Sequence, residues 1–229
     1  MLEESYTQST ELDDHIDFVV HNNQYLAVTD SENVYLVEQD RLNTSKKLIG
    51  LNDGSNESFI GLYMNDDTLY VFSQNTFSYE RHDADFFKAK TFIRTYDLSS
   101  QTLTNTFEFS GSVTNISVFG DRLLLTSDQP IPYNLVETER FEQYLPYYQK
   151  NSVKTVQSYD DMQYIEGANP SNYFTIYMLD LNRHSVAFTT TITNHDNHVQ
   201  VSKDGVYLAS KSYVFKPVSD YVEMNNPIE

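Results

Sequence analysis

Four short stretches decide the fold, because they superimpose without gaps: Asn22-Asn23-Gln24-Tyr25-Leu26-Ala27-Val28-Thr29, Asp66-Asp67-Thr68-Leu69-Tyr70-Val71-Phe72-Ser73, Gly120-Asp121-Arg122-Leu123-Leu124-Leu125-Thr126-Ser127 and Lys203-Asp204-Gly205-Val206-Tyr207-Leu208-Ala209-Ser210. Each opens on a turn-forming pair, runs through apolar residues and closes on a hydroxyl. Upstream of the shared position (Asn23, Asp67, Asp121, Asp204), the residues three and five places earlier are apolar in every copy: Val20 and Phe18, Met64 and Leu62, Val118 and Ile116, Val201 and Val199. Period-two alternation marks a strand with one buried face. The nearly unbroken apolar run after the turn marks a strand covered on both faces. Each stretch therefore predicts a β-hairpin.

Two copies continue alike. Phe92-Ile93-Arg94-Thr95-Tyr96-Asp97-Leu98 matches Thr175-Ile176-Tyr177-Met178-Leu179-Asp180-Leu181, and the step from Asp97 to Asp180 equals that from Asp121 to Asp204, 83 residues. Polar turns follow, Ser99-Ser100-Gln101 and Asn182-Arg183-His184, and then β-prone runs over 103–109 and 186–192. The unit is four antiparallel strands, the third ending in Asp-Leu. Repetition of such a unit predicts an all-β, partial β-propeller of about four blades, the last incomplete. The hairpins are spaced by 44, 54 and 83 residues, so the third blade carries a Pro/Tyr-rich insertion at about 128–172. Residues 1–15 read as an N-terminal tail and 16–229 as the propeller domain.

The pattern from Ile116 to Ser127, the Pro/Tyr-rich insertion, the Ser171-Asn172-Tyr173 lead into a strand and the Asp180-Leu181 close resemble the bacterial secreted β-propeller family distantly related to WD-repeat proteins. The resemblance spans roughly 16–215. It implies an extracellular or cell-envelope propeller, in a family without an established reaction, so no catalytic residue comes with it. Against that family the chain shows no leader or anchor and is short, with fewer blades than a closed ring takes. It reads as a fragment whose open blade faces favour self-association.

Composition narrows the partners. The chain has 229 residues, 15 Lys plus Arg against 33 Asp plus Glu, and a formal net charge of −18. Such a surface repels the phosphates of nucleic acid and anionic lipid, and no basic run offsets it. The longest aliphatic runs are as short as Leu123-Leu124-Leu125, far below a membrane span. With no cysteine, disulfides, thiolate catalysis and Cys-based metal sites are excluded.

Candidate sites follow from residue type. His195-Asp196-Asn197-His198 is the densest metal-capable grouping, but at a strand start its odd spacing sends the two imidazoles to opposite faces, which predicts a polar turn and no metal site. The acidic pairs Asp13-Asp14, Asp66-Asp67 and Asp160-Asp161 could serve calcium or a two-carboxylate glycoside hydrolysis. For Asp66-Asp67 a turn explains the residues fully. No Gly-flanked serine elbow, phosphate-binding glycine loop or calcium-loop pattern occurs, so no catalytic residue and no cofactor are predicted. The insertion holds Tyr133, Tyr144, Tyr147, Tyr148, Tyr159 and Tyr164, and a short helix between Leu135 and Leu145 ended by Pro146. Tyrosine offers amphipathic contact area, so Tyr133, Tyr144, Tyr147 and Tyr148 are the expected partner contacts; the competing reading packs these rings against the blade edges. The expected function is a non-enzymatic module binding a protein or glycan, with a polysaccharide hydrolase or lyase at the propeller mouth as the alternative.

Overall fold

Asparagine side chains build the first two hairpin turns. Asn22 Oδ1 accepts from the backbone N–H of Gln24 (2.9 Å) and Tyr25 (2.8 Å), and Asn65 Oδ1 from those of Asp67 (3.1 Å) and Thr68 (2.7 Å). Asn and Asp favour such turns because the short carbonyl reaches its own backbone two and three residues on. The computed structural model describes residues 16–41, 45–51, 56–75, 89–131, 144–164, 171–194, 196–202 and 205–211.

The hairpins grow into successive antiparallel sheets. Blade 1 is β1(Phe18–His21), β2(Tyr25–Thr29), β3(Asn33–Glu38) and β4(Ser45–Gly50), in that order across the sheet. Blade 2 begins with β5(Glu57–Met64), β6(Thr68–Asn75), β7(Lys90–Asp97) and β8(Thr102–Ser110). Blade 3 begins with β9(Ser112–Phe119) and β10(Arg122–Pro130). The fold is thus the all-β partial propeller that the repeats predict.

The insertion carries strands that its sequence did not announce. It forms three short strands, β11(Tyr147–Lys150), β12(Val153–Val156) and β13(Met162–Tyr164), before blade 3 resumes in β14(Asn172–Asp180) and β15(Ser185–Asn194). The hairpin β11–β12 pairs with β8 and widens blade 2 to six strands, whereas β13 pairs in parallel with β15 and makes blade 3 five-stranded. One excursion from blade 3 therefore covers the outer edge of blade 2 and then its own, protecting strands that would otherwise offer unpaired backbone groups. A further hairpin, β16(Asp196–Ser202) with β17(Gly205–Lys211), opens the fourth blade, and β16 approaches β9.

Alternation along each central strand feeds two seams. Leu69 and Val71 of β6 join Phe59, Tyr96 and Leu98 against Ala27, Val34 and Leu36 of blade 1. Tyr70 and Phe72 of the same strand join Ile93, Phe107 and Phe109 against Leu123, Leu125, Tyr177, Leu179 and Leu181 of blade 3. The Asp-Leu close is what seats a blade on its predecessor. Asp97 Oδ1 accepts from the N–H and hydroxyl of Ser100 and the hydroxyl of Ser99, Asp180 Oδ1 from the N–H groups of Asn182 and Arg183. These bonds hold the Asp97 carboxyl down at about 2, the Ser100 N–H contributing most. The chain thereby turns so that Leu98 enters the first seam and Leu181 the second.

Backbone bonds at the same corner correct the first repeat by one residue. Leu98 N donates to Asp67 O and Leu181 N to Asp121 O, both 2.9 Å, and Gln39 N donates to Gln24 O at 2.8 Å. Gln24, not Asn23, is therefore the counterpart of Asp67. Val19 and His21 then occupy the places of Leu62 and Met64, and Val19 is 52% exposed, while Phe18 and Val20 face blade 2. Because a one-residue slip exchanges the faces of a strand, and β1 is apolar on both parities, hydropathy alone could not choose.

The step from blade 2 to blade 3 takes one residue, Gly111, at φ +88°, where a Cβ would lie 2.8 Å from the Asp128 carbonyl. Only glycine fits that left-handed, crowded position. Among the described residues no helix is long and apolar enough to cross a membrane.

Truncating the seam leucines is expected to be costly where an exposed one is not. Leu98→Ala and Leu181→Ala should each lose about 2–4 kcal/mol in urea denaturation. Leu103→Ala, on a side chain 52% exposed, should stay within about 0.5 kcal/mol of wild type.

Candidate functional site

The turn Asn151-Ser152 makes the insertion's hairpin. Both residues have positive φ, 45° and 74°, the twist that a two-residue hairpin loop requires. It brings Tyr147 and Tyr148, adjacent in β11, onto opposite faces of blade 2.

Tyr147 is fastened to the sheet. Its N–H donates to Ser110 Oγ (2.9 Å) and its hydroxyl to Glu108 Oε1 (2.6 Å); Glu108 also pairs with Lys90 Nζ at 2.7 Å. Lys154 Nζ sits 3.8 Å from the centre of the Tyr147 ring, a cation–π contact. Burial pushes the Glu108 carboxyl up, but the Lys90 ammonium, the Tyr147 hydroxyl and the Lys154 charge together outweigh it and leave the group below the ordinary glutamate range. Burial first, and then the bond to that carboxylate, push the Tyr147 phenol up.

Tyr148 faces the other way, into the seam between blades 2 and 3, edge-on to Tyr177 with ring centres 6.4 Å apart. Tyr177 is buried, also meets Phe109 at 4.8 Å, and donates from its hydroxyl to the Tyr147 carbonyl at 3.1 Å. Burial raises its phenol to about 12, while the hydroxyls of Ser110, Thr175 and Ser127 pull the other way. Two more bonds cross the seam: Lys150 Nζ donates to the His184 carbonyl, and Thr189 Oγ1 to Gln157 Oε1 at 3.2 Å. Tyr144 is half-buried, and its carbonyl accepts from Gln129 Nε2 at 2.6 Å. Tyr159 and Tyr164 are 62% and 78% exposed. Tyr133, and 135–143 of the expected helix, lie outside the described residues.

Between the hairpin and blade 3 lies a cavity of about 190 Å³. The hairpin side contributes Pro146, Tyr147, Tyr148, Thr155 and Val156, the following chain Gln157, Ser158 and Asp161, and blade 3 Tyr177 and Thr189. Asp161 ends a single turn of 3₁₀ helix, Tyr159–Asp161, capped by Ser158 Oγ on the Asp160 N–H. Of the expected contacts, the structure thus gathers Tyr147 and Tyr148 at one cavity. Tyr177, Gln157 and Thr189 were not singled out from sequence: Tyr177 reads as one more inward residue of an alternating strand. The Asn151-Ser152 pair between two short β-prone runs was the available sign of the hairpin.

The other candidate groups fall apart in space. Asp66 and Asp67 lie in a hairpin turn, and Asp160 with Asp161 in the 3₁₀ turn; Asp13, Asp14 and His195 lie outside the described residues, and Asp196, Asn197 and His198 run along β16. Among the described residues no three His, Asp or Glu side chains converge as a metal site would require.

The chain belongs to the beta propeller domain family, whose description matches residues 7–226. Comparison with curated proteins returned no match. Among solved structures, one similar chain comes from a complex of a S. cerevisiae Dbp5 variant bound to Nup159, a Gle1 variant, IP6 and ADP, at 9% identity and a TM-score of 0.32, over 78% of this chain and 47% of that one. Another is the Bacteroides ovatus xyloglucan-locus protein GH43B, at 11% identity and a TM-score of 0.23, over 87% of this chain and 58% of that one. The chain thus spans about half the length of these structures.

Removing the Tyr147 hydroxyl tests the outer anchor. Tyr147→Phe is expected to cost about 1–2 kcal/mol at pH 7, the range for a bond to a charged, partly screened group. Since the folded pKa of Glu108 is depressed, its stabilisation is present above the unfolded value of about 4.3 and is lost as pH falls through the lower folded value. The stability gap between wild type and variant, followed by chemical denaturation, should therefore shrink below about pH 4.

Proposed function

We propose that the protein is a non-enzymatic β-propeller module of the extracellular space or cell envelope, which binds a protein or glycan partner through the insertion carried by its third blade. The observation that carries this reading is the cavity of about 190 Å³ walled by the Tyr148 and Tyr177 rings, on an excursion that two blades hold in place. Aromatic walls with a few polar or charged groups are the usual make-up of a recognition pocket. Its position on a hairpin braced against β8 supplies a rigid scaffold for contact. Tyr144 and Tyr133 of the same insertion are proposed as further contacts. The extracellular or envelope location is supported by the resemblance to secreted propellers. The hydrolytic alternative calls for a carboxyl group with a raised pKa, and the described carboxyls that clearly shift, Glu108 and Asp97, both move down.

Plugging the cavity tests the reading. Thr155 is exposed on β12 and lines it, so Thr155→Trp should fill the space without disturbing the seam. Wild type is expected to retain at least one member of an immobilised panel of extracellular-matrix proteins and cell-wall glycans, and the variant to lose it by at least about tenfold in affinity, a change of about 1.4 kcal/mol. Equal retention by both proteins, or none by wild type, would contradict the proposal.

A further inference from the structure

We infer that the cavity between the insertion's hairpin and blade 3 accepts a cationic side chain, the ammonium of a lysine on an extended basic peptide. The inference rests on the preceding reading of that cavity as the contact site and adds the chemistry of what enters it. At about 190 Å³ the space is smaller than the roughly 300–1,000 Å³ of pockets that enclose a whole small molecule, so it suits one side chain of a larger partner.

Its walls select the charge. Among the lining residues Asp161 carries the one formal charge, a negative one; the others add the Tyr148 and Tyr177 rings and neutral acceptor oxygens on Thr155, Gln157 and Ser158. Ring faces and carboxylates attract cations, and nothing in the lining would neutralise an anion. The chain's net charge of −18 adds a long-range field of the same sign, which draws basic partners and repels acidic ones. The same hairpin already seats two of the chain's own lysines in such surroundings. Lys154 lies over the Tyr147 ring at 3.8 Å; Lys150 lies over Phe107 at 5.6 Å and donates to the His184 carbonyl. Those two ammonium groups are held by an aromatic face or a backbone oxygen, and the cavity offers a third place of the same kind with a carboxylate added.

The test uses the whole chain, with the threonine methyl groups observed by NMR and three probes: an acetylated and amidated tri-lysine peptide, the same peptide with every ε-amine acetylated, and neutral cellotetraose. The lysine peptide is expected to shift the Thr155 and Thr189 methyl signals saturably, and more weakly as salt rises. Acetylation of the probe, or Asp161→Asn, should weaken binding by about tenfold or more, whereas Asp161→Glu, which keeps the charge, should stay within about threefold. One charge removed out of a diffuse field of eighteen would change little, so a tenfold loss reports the cavity itself. Equal binding of the acetylated peptide, no effect of Asp161→Asn, or saturation of the same two methyls by cellotetraose alone would overturn the inference. In those cases the loss of panel binding in Thr155→Trp would still support a binding module. If that variant keeps its panel binding, the broader reading fails independently of the charge selection.

Discussion

A four-stranded sheet with apolar residues on both faces cannot be stable alone, and every other feature of this molecule answers that constraint. β6 shows it most directly: Leu69 and Val71 point to one side, Tyr70 and Phe72 to the other, and all four are buried. Water must be kept from both faces at once, so blade 2 needs a neighbour on each side. The Asp-Leu corners answer this locally. An aspartate bends the chain, and the leucine beside it is driven into the gap between sheets. The one-residue crossing at Gly111 then keeps the start of blade 3 beside the end of blade 2.

Outer edges pose a second problem, because β8 and β15 end their sheets with open backbone groups. The insertion meets it for both strands. Its hairpin extends blade 2 and its last strand extends blade 3, and between them Lys150, Tyr177 and Thr189 tie one blade to the other. The candidate site is a by-product of that bracing. Where the hairpin stands away from blade 3, Tyr148, Tyr177 and Asp161 line a small open space, and rigid surroundings are what a recognition pocket needs if little entropy is to be lost on binding.

The hairpin repeat was readable because its signals are local and dense: an Asn/Asp turn, an alternating strand before it and an apolar strand after it. The Asp-Leu close was legible in blades 2 and 3 and hidden in blade 1, where Glu38-Gln39 occupies the corresponding corner and keeps only the backbone bond from Gln39. The register of β1 could not be read, since Phe18, Val19 and Val20 are all apolar and only the turn bond to Gln24 distinguishes the faces. The insertion's strands were hidden for a different reason. They are three or four residues long, and the most exposed of them, β12, reads Val153-Lys154-Thr155-Val156, too short for alternation to register. Tyr147 and Tyr148 could be picked out in the sequence, but the difference between their surroundings could not. One ring bonds a carboxylate on β8 and the next enters the seam, a split that depends on pairing with a strand about forty residues earlier in the chain.

The central claim is that blades 2 and 3 and the excursion bracing them form one cooperative unit. Native-state hydrogen exchange resolved to single amides tests it most directly. If the claim holds, the bonded amides of β8, β11 and β14 exchange with the same free energy of opening, and that value drops for all three together in Tyr147→Phe. Rapid, independent exchange of β11 and β12 while β8 and β14 stay protected would contradict it.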